Sequence, residues 1–197
     1  MTGTFAPSDT DNAMLRGVNL YLIGMMGSGK SAVGRILAER LDYQFFDSDQ
    51  LIEQVSKTSI AEIFAQEGEE SFRTVETQVL AQLAPYPRLV ISTGGGAVLK
   101  SENWSYLHHG VIIWLDVPPE TLFARVSQDP TPRPLLQQAD PLQTLKTIFQ
   151  ERQRYYAQAD IRIDADAPTE EVAQRTLDGL KARIEQDAPN RAKFYGS

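Results

Sequence analysis

A chain of 197 residues suits one domain and is long enough to bury a substantial core. Its 42% hydrophobic and 23% charged residues are ordinary for a globular protein, and a formal net charge of −7 argues against non-specific nucleic-acid binding. The chain has no cysteine, which excludes disulfides and thiol chemistry, and its two histidines, His108 and His109, are adjacent and suit an exposed helix end better than a metal site.

Residues 1–17 are polar and aperiodic and are expected to form a flexible extension. The start lacks the basic and apolar stretches of a secretory signal, and Asp9 and Asp11 argue against an Arg-rich transit peptide. No run approaches the roughly 18 apolar residues of a membrane span. The expectation is a cytoplasmic protein without membrane or nucleic-acid partners.

The apolar run Val18–Ile23 is predicted as a buried strand. It leads into Gly24-Met-Met-Gly-Ser-Gly-Lys-Ser31, which has the form G-x-x-x-x-G-K-[ST] of a phosphate-binding P-loop. Ala32, Val33, Ile36, Leu37 and Leu41 follow at helical spacing. Gly24, Gly27 and Gly29 permit turns in which consecutive N–H groups point at phosphate oxygens, and the helix start adds unpaired donors. Lys30 can reach the outer phosphates and the Ser31 hydroxyl can ligate Mg²⁺. The motif names a nucleoside triphosphate donor but no acceptor.

Tyr43–Phe46 read as a second strand, ending in Asp47-Ser48-Asp49. In extended backbone the i, i+2 spacing puts both carboxylates on one side. One can support Mg²⁺ through water and the other can accept a hydroxyl proton. Ser48 or Asp49 could equally cap a helix at Leu51; the neighbouring P-loop favours chemistry. A helical stretch to about Leu83 is expected to break near Gly68. Within it, Arg73 has Glu69 at i−4 and Glu76 at i+3, and spacing alone favours a solvated ion pair.

Arg88–Ser92 form the third predicted strand, followed by Thr93 and the run Gly94-Gly95-Gly96, where backbone can approach a ligand closely. Val111–Leu115 form the fourth. Asp116 then mimics a Walker B acid, yet Val117-Pro118-Pro119-Glu120 makes it a better turn or cap residue. Residues 119–127 look helical. Pro130, Pro132 and Pro134 exclude a regular helix, and Arg133 between them fits either a surface loop or a lid that closes over nucleotide.

Pro141 suits the first turn of a helix to about Gln158. On its apolar stripe of Leu142, Leu145, Ile148, Phe149, Tyr155 and Tyr156 lies Arg152, while Arg154 faces the polar side. A guanidinium on that stripe needs a partner: a ligand anion, or a protein acid if it does not snorkel. Ile161–Ile163 read as a fifth strand and Thr169–Ile184 as a last helix, with an aperiodic tail from residue 187. Strands alternating with helices predict an α/β fold with a parallel sheet, whose ligands bind beyond the strands' carboxyl ends.

Taken together and in order, these motifs resemble the shikimate kinases of the nucleoside-monophosphate-kinase-like P-loop group. The likeness spans about residues 18–165. It rests on the P-loop, Phe46-Asp-Ser-Asp49, Ser59-Ile-Ala-Glu-Ile-Phe64, Phe72-Arg73 with Glu76, Gly94-Gly-Gly-Ala97, Arg133-Pro-Leu-Leu136, and Arg152 before Tyr155. It implies a three-layer fold with a five-stranded parallel sheet flanked by helices. One domain would cover residues 18–186, with a substrate-binding region at about 48–83 and a mobile lid at about 126–140.

The resemblance also implies transfer of the ATP γ-phosphate to the 3-hydroxyl of shikimate, in chorismate and aromatic amino acid biosynthesis, by a monomer using Mg²⁺. Lys30, Asp49 and Arg133 would be catalytic. Gly27, Ser28, Gly29, Lys30, Ser31, Ala32, Arg125 and Arg133 would bind ATP, with Ala32 where the family often has Thr. Asp49, Arg73, Gly94, Gly95, Gly96 and Arg152 would bind shikimate. Ser31, and Asp47 through water, would hold the metal, with Ser92 and Thr93 at the third strand's end and Asp116 left structural.

A gluconate-type kinase shares the P-loop and plan, but Asp47-Ser48-Asp49, Arg73 and the triple glycine argue against it. A non-catalytic nucleotide switch would be expected to lack Lys30, Ser31 or the lid arginine, and all are present.

Overall fold

The computed structural model of the chain describes residues 15–128 and 140–195, with side chains as far as residue 186. In chain order it contains strand β1 (Asn19–Ile23), helix α1 (Lys30–Leu41), β2 (Gln44–Asp47), α2 (Ser48–Ser56), α3 (Ile60–Gln66) and α4 (Gly68–Leu83). There follow β3 (Leu89–Ser92), a 3₁₀ turn (Ala97–Leu99), α5 (Ser101–Leu107), β4 (Gly110–Asp116), α6 (Pro119–Gln128), α7 (Pro141–Tyr156), β5 (Ile161–Asp164) and α8 (Thr169–Tyr195).

The five strands make one parallel sheet in the order β2-β3-β1-β4-β5, flanked by helices. Strand β1 is central, and Leu20, Tyr21, Leu22 and Ile23 are fully buried. Helices cover both faces of such a strand, which is why it reads as an unbroken apolar run. The edge strand β2 is partly exposed, and β5 alternates between exposed and less exposed positions. Helices α1 and α8 pack together, as do α4 with α5 and α6 with α7. Each fully buried Leu or Ile side chain contributes on the order of 2 kcal/mol.

Parallel pairing sets Asp47 beside Ser92, and Ser92 beside Leu22. The loops that leave β1, β2 and β3 therefore start at nearly one level on the carboxyl edge of the sheet. The P-loop, the Asp47-Ser48-Asp49 turn and the glycine run meet there.

The structure departs from sequence expectation in three places. The stretch before Leu83 breaks at Lys57 as well as near Gly68. Lys57 takes a left-handed conformation (φ 55°), and Ser59 opens α3 through a capping box with Glu62. The Ser-x-x-Glu signal was present, but the apolar pattern continues past it. Residues 101–107 form α5, too short to show a helical period. Helix α8 runs on to Tyr195, through residues that carry no apolar stripe.

Candidate active site

The P-loop joins β1 to α1. Gly27 has φ 76°, and a Cβ there would lie 2.7 Å from Val126 Cγ1, so the loop needs glycine for its backbone shape and for close packing against α6. Gly29, also in the left-handed region at φ 89°, caps the start of α1 and leaves the helix N-terminus pointing into the loop. Lys30 reaches back across the turn, its Nζ donating to the carbonyls of Gly24 (2.9 Å) and Met25 (2.8 Å). Ser28 is buried beneath it, whereas Ala32 is exposed on the first turn of α1.

Ser31 links three strand ends. Its hydroxyl donates to Asp47 Oδ2 at 2.5 Å and lies 3.3 Å from Ser92 Oγ. Asp47 also caps α2, its Oδ1 accepting from the backbone N–H groups of Asp49 (3.1 Å) and Gln50 (3.4 Å). Sequence spacing put the cap at Ser48 or Asp49; the helix starts earlier, and one carboxylate both caps and faces Ser31. Ser48 is buried and its Oγ accepts from Gly94 N–H at 3.1 Å, tying the start of α2 to the glycine run.

Asp49 is left to face the interior of the site. Its Oδ1 is buried without a hydrogen-bond partner among the described residues. Burial, and secondarily the charge of Asp47, pushes its carboxyl up to about 6, although Lys30 and Arg73 pull the other way.

The three glycines make room for charged side chains. A Cβ at Gly94 would lie 2.7 Å from Asp49 Oδ1 and 2.9 Å from Glu76 Oε1, and one at Gly95 would lie 3.6 Å from Arg152 Nη1. At Gly96 it would collide with the Arg73 guanidinium, 2.7 Å from its Cζ. Arg73 donates to Glu76 Oε2 (2.8 Å) on one side and Glu69 Oε1 (3.1 Å) on the other. The spacing-based ion pair therefore exists, but its description as solvated fails: Glu76 is fully buried, and burial raises its carboxyl to about 7. Arg152 is 9% exposed on the stripe of α7, as periodicity predicted, with Arg154 exposed on the other side.

A phosphate cradle thus abuts two guanidiniums and an ionisable carboxylate grouped around consecutive glycines. The shikimate kinase sequence profile matches residues 26–181. The chain belongs to the shikimate kinase family. It is 52% identical over 177 residues to the shikimate kinase of Synechococcus sp. strain JA-3-3Ab, covering 89% of this chain and 94% of that one. Its fold is similar to that of the Acinetobacter baumannii shikimate kinase solved in complex with shikimate, with TM-score 0.83, 38% identity, and 87% and 97% of the two chains covered. A gluconokinase from Sinorhizobium meliloti shares the fold at TM-score 0.59 and 18% identity, covering 86% and 95%.

Within this shikimate kinase fold, Arg125 lies across the P-loop, 3.5 Å from the Gly27 carbonyl and 3.3 Å from that of Ala165. Asp116 is the last residue of β4, and its polar groups are engaged on the β5 side: Arg162 Nε donates to its Oδ2 at 2.9 Å, and its carbonyl accepts from Ala165 N–H. His108 and His109 are exposed at the end of α5. Arg133 and most of the expected lid lie outside the described residues.

Sequence reasoning undervalued two residues. Glu76 shares a stripe with Phe72, Val79, Leu80 and Leu83 of α4, all buried. The periodicity argument that singled out Arg152 would have found it. Tyr156 was read as part of an apolar stripe, yet its hydroxyl donates to the Gly95 carbonyl at 2.6 Å.

Proposed function

We propose that this chain transfers the γ-phosphoryl group of ATP to the 3-hydroxyl of shikimate, giving 3-phosphoshikimate and ADP on the way to chorismate. The grouping of Asp49, Arg73 and Arg152 around Gly94–Gly96, beside Lys30 and Ser31, carries this reading. Arg73 and Arg152 bind the acceptor's carboxylate, each guanidinium offering paired donors. Asp49 holds the acceptor hydroxyl and takes its proton as the oxygen bonds to the γ-phosphorus. The bond between that phosphorus and the β–γ bridging oxygen breaks, and ADP leaves with the electron pair. Lys30 and the N–H groups of 27–32 hold the phosphates, and Arg125 flanks the nucleotide.

Ser31, Asp47 and Ser92 bring hydroxyl and carboxylate oxygens together in a set that suits a hard divalent cation completed by water. Ser31 and Asp47 would hold Mg²⁺ there, which would supply positive charge to offset that of the phosphates. In this reading the chain works as a monomer in the cytoplasm, and its partners are the two small molecules.

An acceptor panel tests the proposal. Magnesium-dependent release of ADP from ATP is expected with shikimate and little with gluconate or nucleoside monophosphates. Absence of shikimate-dependent turnover, or equal turnover with gluconate, refutes it.

A further inference from the structure

The Gly95 carbonyl points away from the acceptor side of the glycine run and into the core. There it meets the hydroxyl of Tyr156, which is fully buried on α7, one turn after Arg152. The same hydroxyl lies 3.5 Å from Met25 Sδ in the P-loop, and the ring stacks on Trp114 with centroids 5.8 Å apart. Burial pushes the phenol up to about 12 although the neighbouring Arg152 guanidinium, which also hydrogen-bonds the phenol oxygen, pulls the other way, so the hydroxyl stays a donor to Gly95 throughout the working pH range.

This contact has a consequence for the neighbouring N–H groups. The Gly95 carbonyl and the Gly96 N–H belong to one planar trans peptide, so they point in opposite directions. Fixing the carbonyl aims the N–H. Among the described residues, neither the Gly95 N–H nor the Gly96 N–H has a hydrogen-bond partner, whereas Gly94 N–H is held by Ser48. Glycine backbone has wide conformational freedom, and without a tether this run would sample several peptide orientations.

We propose that Tyr156 is a positioning residue for the acceptor: its hydroxyl locks the Gly95–Gly96 peptide so that the free Gly96 N–H is presented to the phosphoryl acceptor. This rests on the acceptor site proposed above. The lock also ties the glycine run to α7 at the turn that carries Arg152, so backbone donors and guanidinium keep a fixed spacing.

Tyr156→Phe removes the lock and keeps the ring. Steady-state kinetics of this variant should show a shikimate KM raised about tenfold, the loss of roughly one hydrogen bond, with the ATP KM within about twofold of the parent. Leu180→Ala, in the core under β5, serves as a control for destabilisation and should leave both KM values unchanged. An unaltered shikimate KM in folded Tyr156→Phe overturns the proposal, as does a parallel rise in both KM values or the same rise in the control. If the parent chain itself lacks shikimate-dependent turnover, the acceptor assignment has failed instead.

Discussion

Asp49 Oδ1 and Glu76 Oε1 face one point, 2.7 and 2.9 Å from where a side chain at Gly94 would begin. They come from different helices, both oxygens are buried, and neither has a hydrogen-bond partner among the described residues. Gly94 is what allows them to meet. A buried carboxylate oxygen without a donor is costly. A substrate hydroxyl entering that space would supply one.

The pair should shape the pH profile. Burial raises Asp49 to about 6 and Glu76 to about 7, and ionised Asp49 in turn raises Glu76. A base must be ionised, so kcat/KM for shikimate should fall as pH drops through this range, with two apparent steps belonging to the pair. Glu76→Gln should remove the upper step and keep the lower one near 6. Asp49→Asn should lower kcat by at least about a hundredfold with little change in ATP affinity. A flat profile from pH 5 to 8, or equal loss of ATP binding in Asp49→Asn, would contradict the assignment.

Stability should carry the same signature with a defined sign. Glu76 titrates at 4.5 in the unfolded chain and about 7 when folded, so its neutral form is the one that folding favours. The associated stability is present below pH 4.5 and is lost as pH rises to about 7, by on the order of 3 kcal/mol. Melting curves of the ligand-free parent and Glu76→Gln should converge in acid and separate towards pH 8, the parent losing ground. A difference in Tm that does not vary with pH would show that the folded carboxyl is not shifted.

How much of this was legible depends on whether a residue's role is local. The P-loop was, because phosphate binding uses consecutive backbone groups, and its residues are neighbours in sequence. Arg152 was, because a cation on an apolar stripe violates the helical pattern. Asp47 was half legible: its spacing from Asp49 indicated a carboxylate able to support the metal through water, but the helix cap falls on Asp47 itself, one residue before Ser48. Arg73 and Glu76 misled, since i, i+3 spacing describes a surface pair equally well, and only the packing of α4 against α2, α3 and α5 buries the acid. Tyr156 was opaque because a hydrogen bond to a carbonyl 61 residues away leaves no local pattern.

The glycine run should be less tolerant at position 96 than its bare sequence suggests. A methyl group there overlaps the Arg73 guanidinium, which is already held between Glu69 and Glu76 and cannot retreat without breaking an ion pair. Gly96→Ala should raise the shikimate KM by about tenfold or more and leave the ATP KM within about twofold. Competition with a fluorescent nucleotide, alongside acceptor kinetics, checks both halves. Loss of nucleotide binding would mean that the run serves the donor instead.

Arg152 should separate charge from geometry. Arg152→Ala removes a buried cation and should weaken shikimate by about a hundredfold while sparing ATP. Arg152→Lys keeps the charge but not the paired donors, and should recover only part of the loss. Full recovery by lysine would show that simple charge suffices; unaltered shikimate affinity in the alanine variant would remove Arg152 from the acceptor site.

Asp116 provides the counter-test, because sequence alone allowed it a Walker B role. Its carboxylate is engaged by Arg162 of β5, a side chain that is 64% exposed. Such a partly solvated pair contributes at most about 1 kcal/mol. The oxygens proposed to hold Mg²⁺ lie instead at Ser31, Asp47 and Ser92, on the far side of β1 from β4. Asp116→Ala should therefore leave kcat and the Mg²⁺ dependence within about twofold of the parent and lower Tm by only a few degrees. Asp47→Ala removes the carboxylate beside Ser31 and should shift the Mg²⁺ dependence to higher concentration. If Asp116→Ala shifts it and Asp47→Ala does not, the metal belongs at the end of β4, and Ser31 and Asp47 form only a structural hydrogen bond.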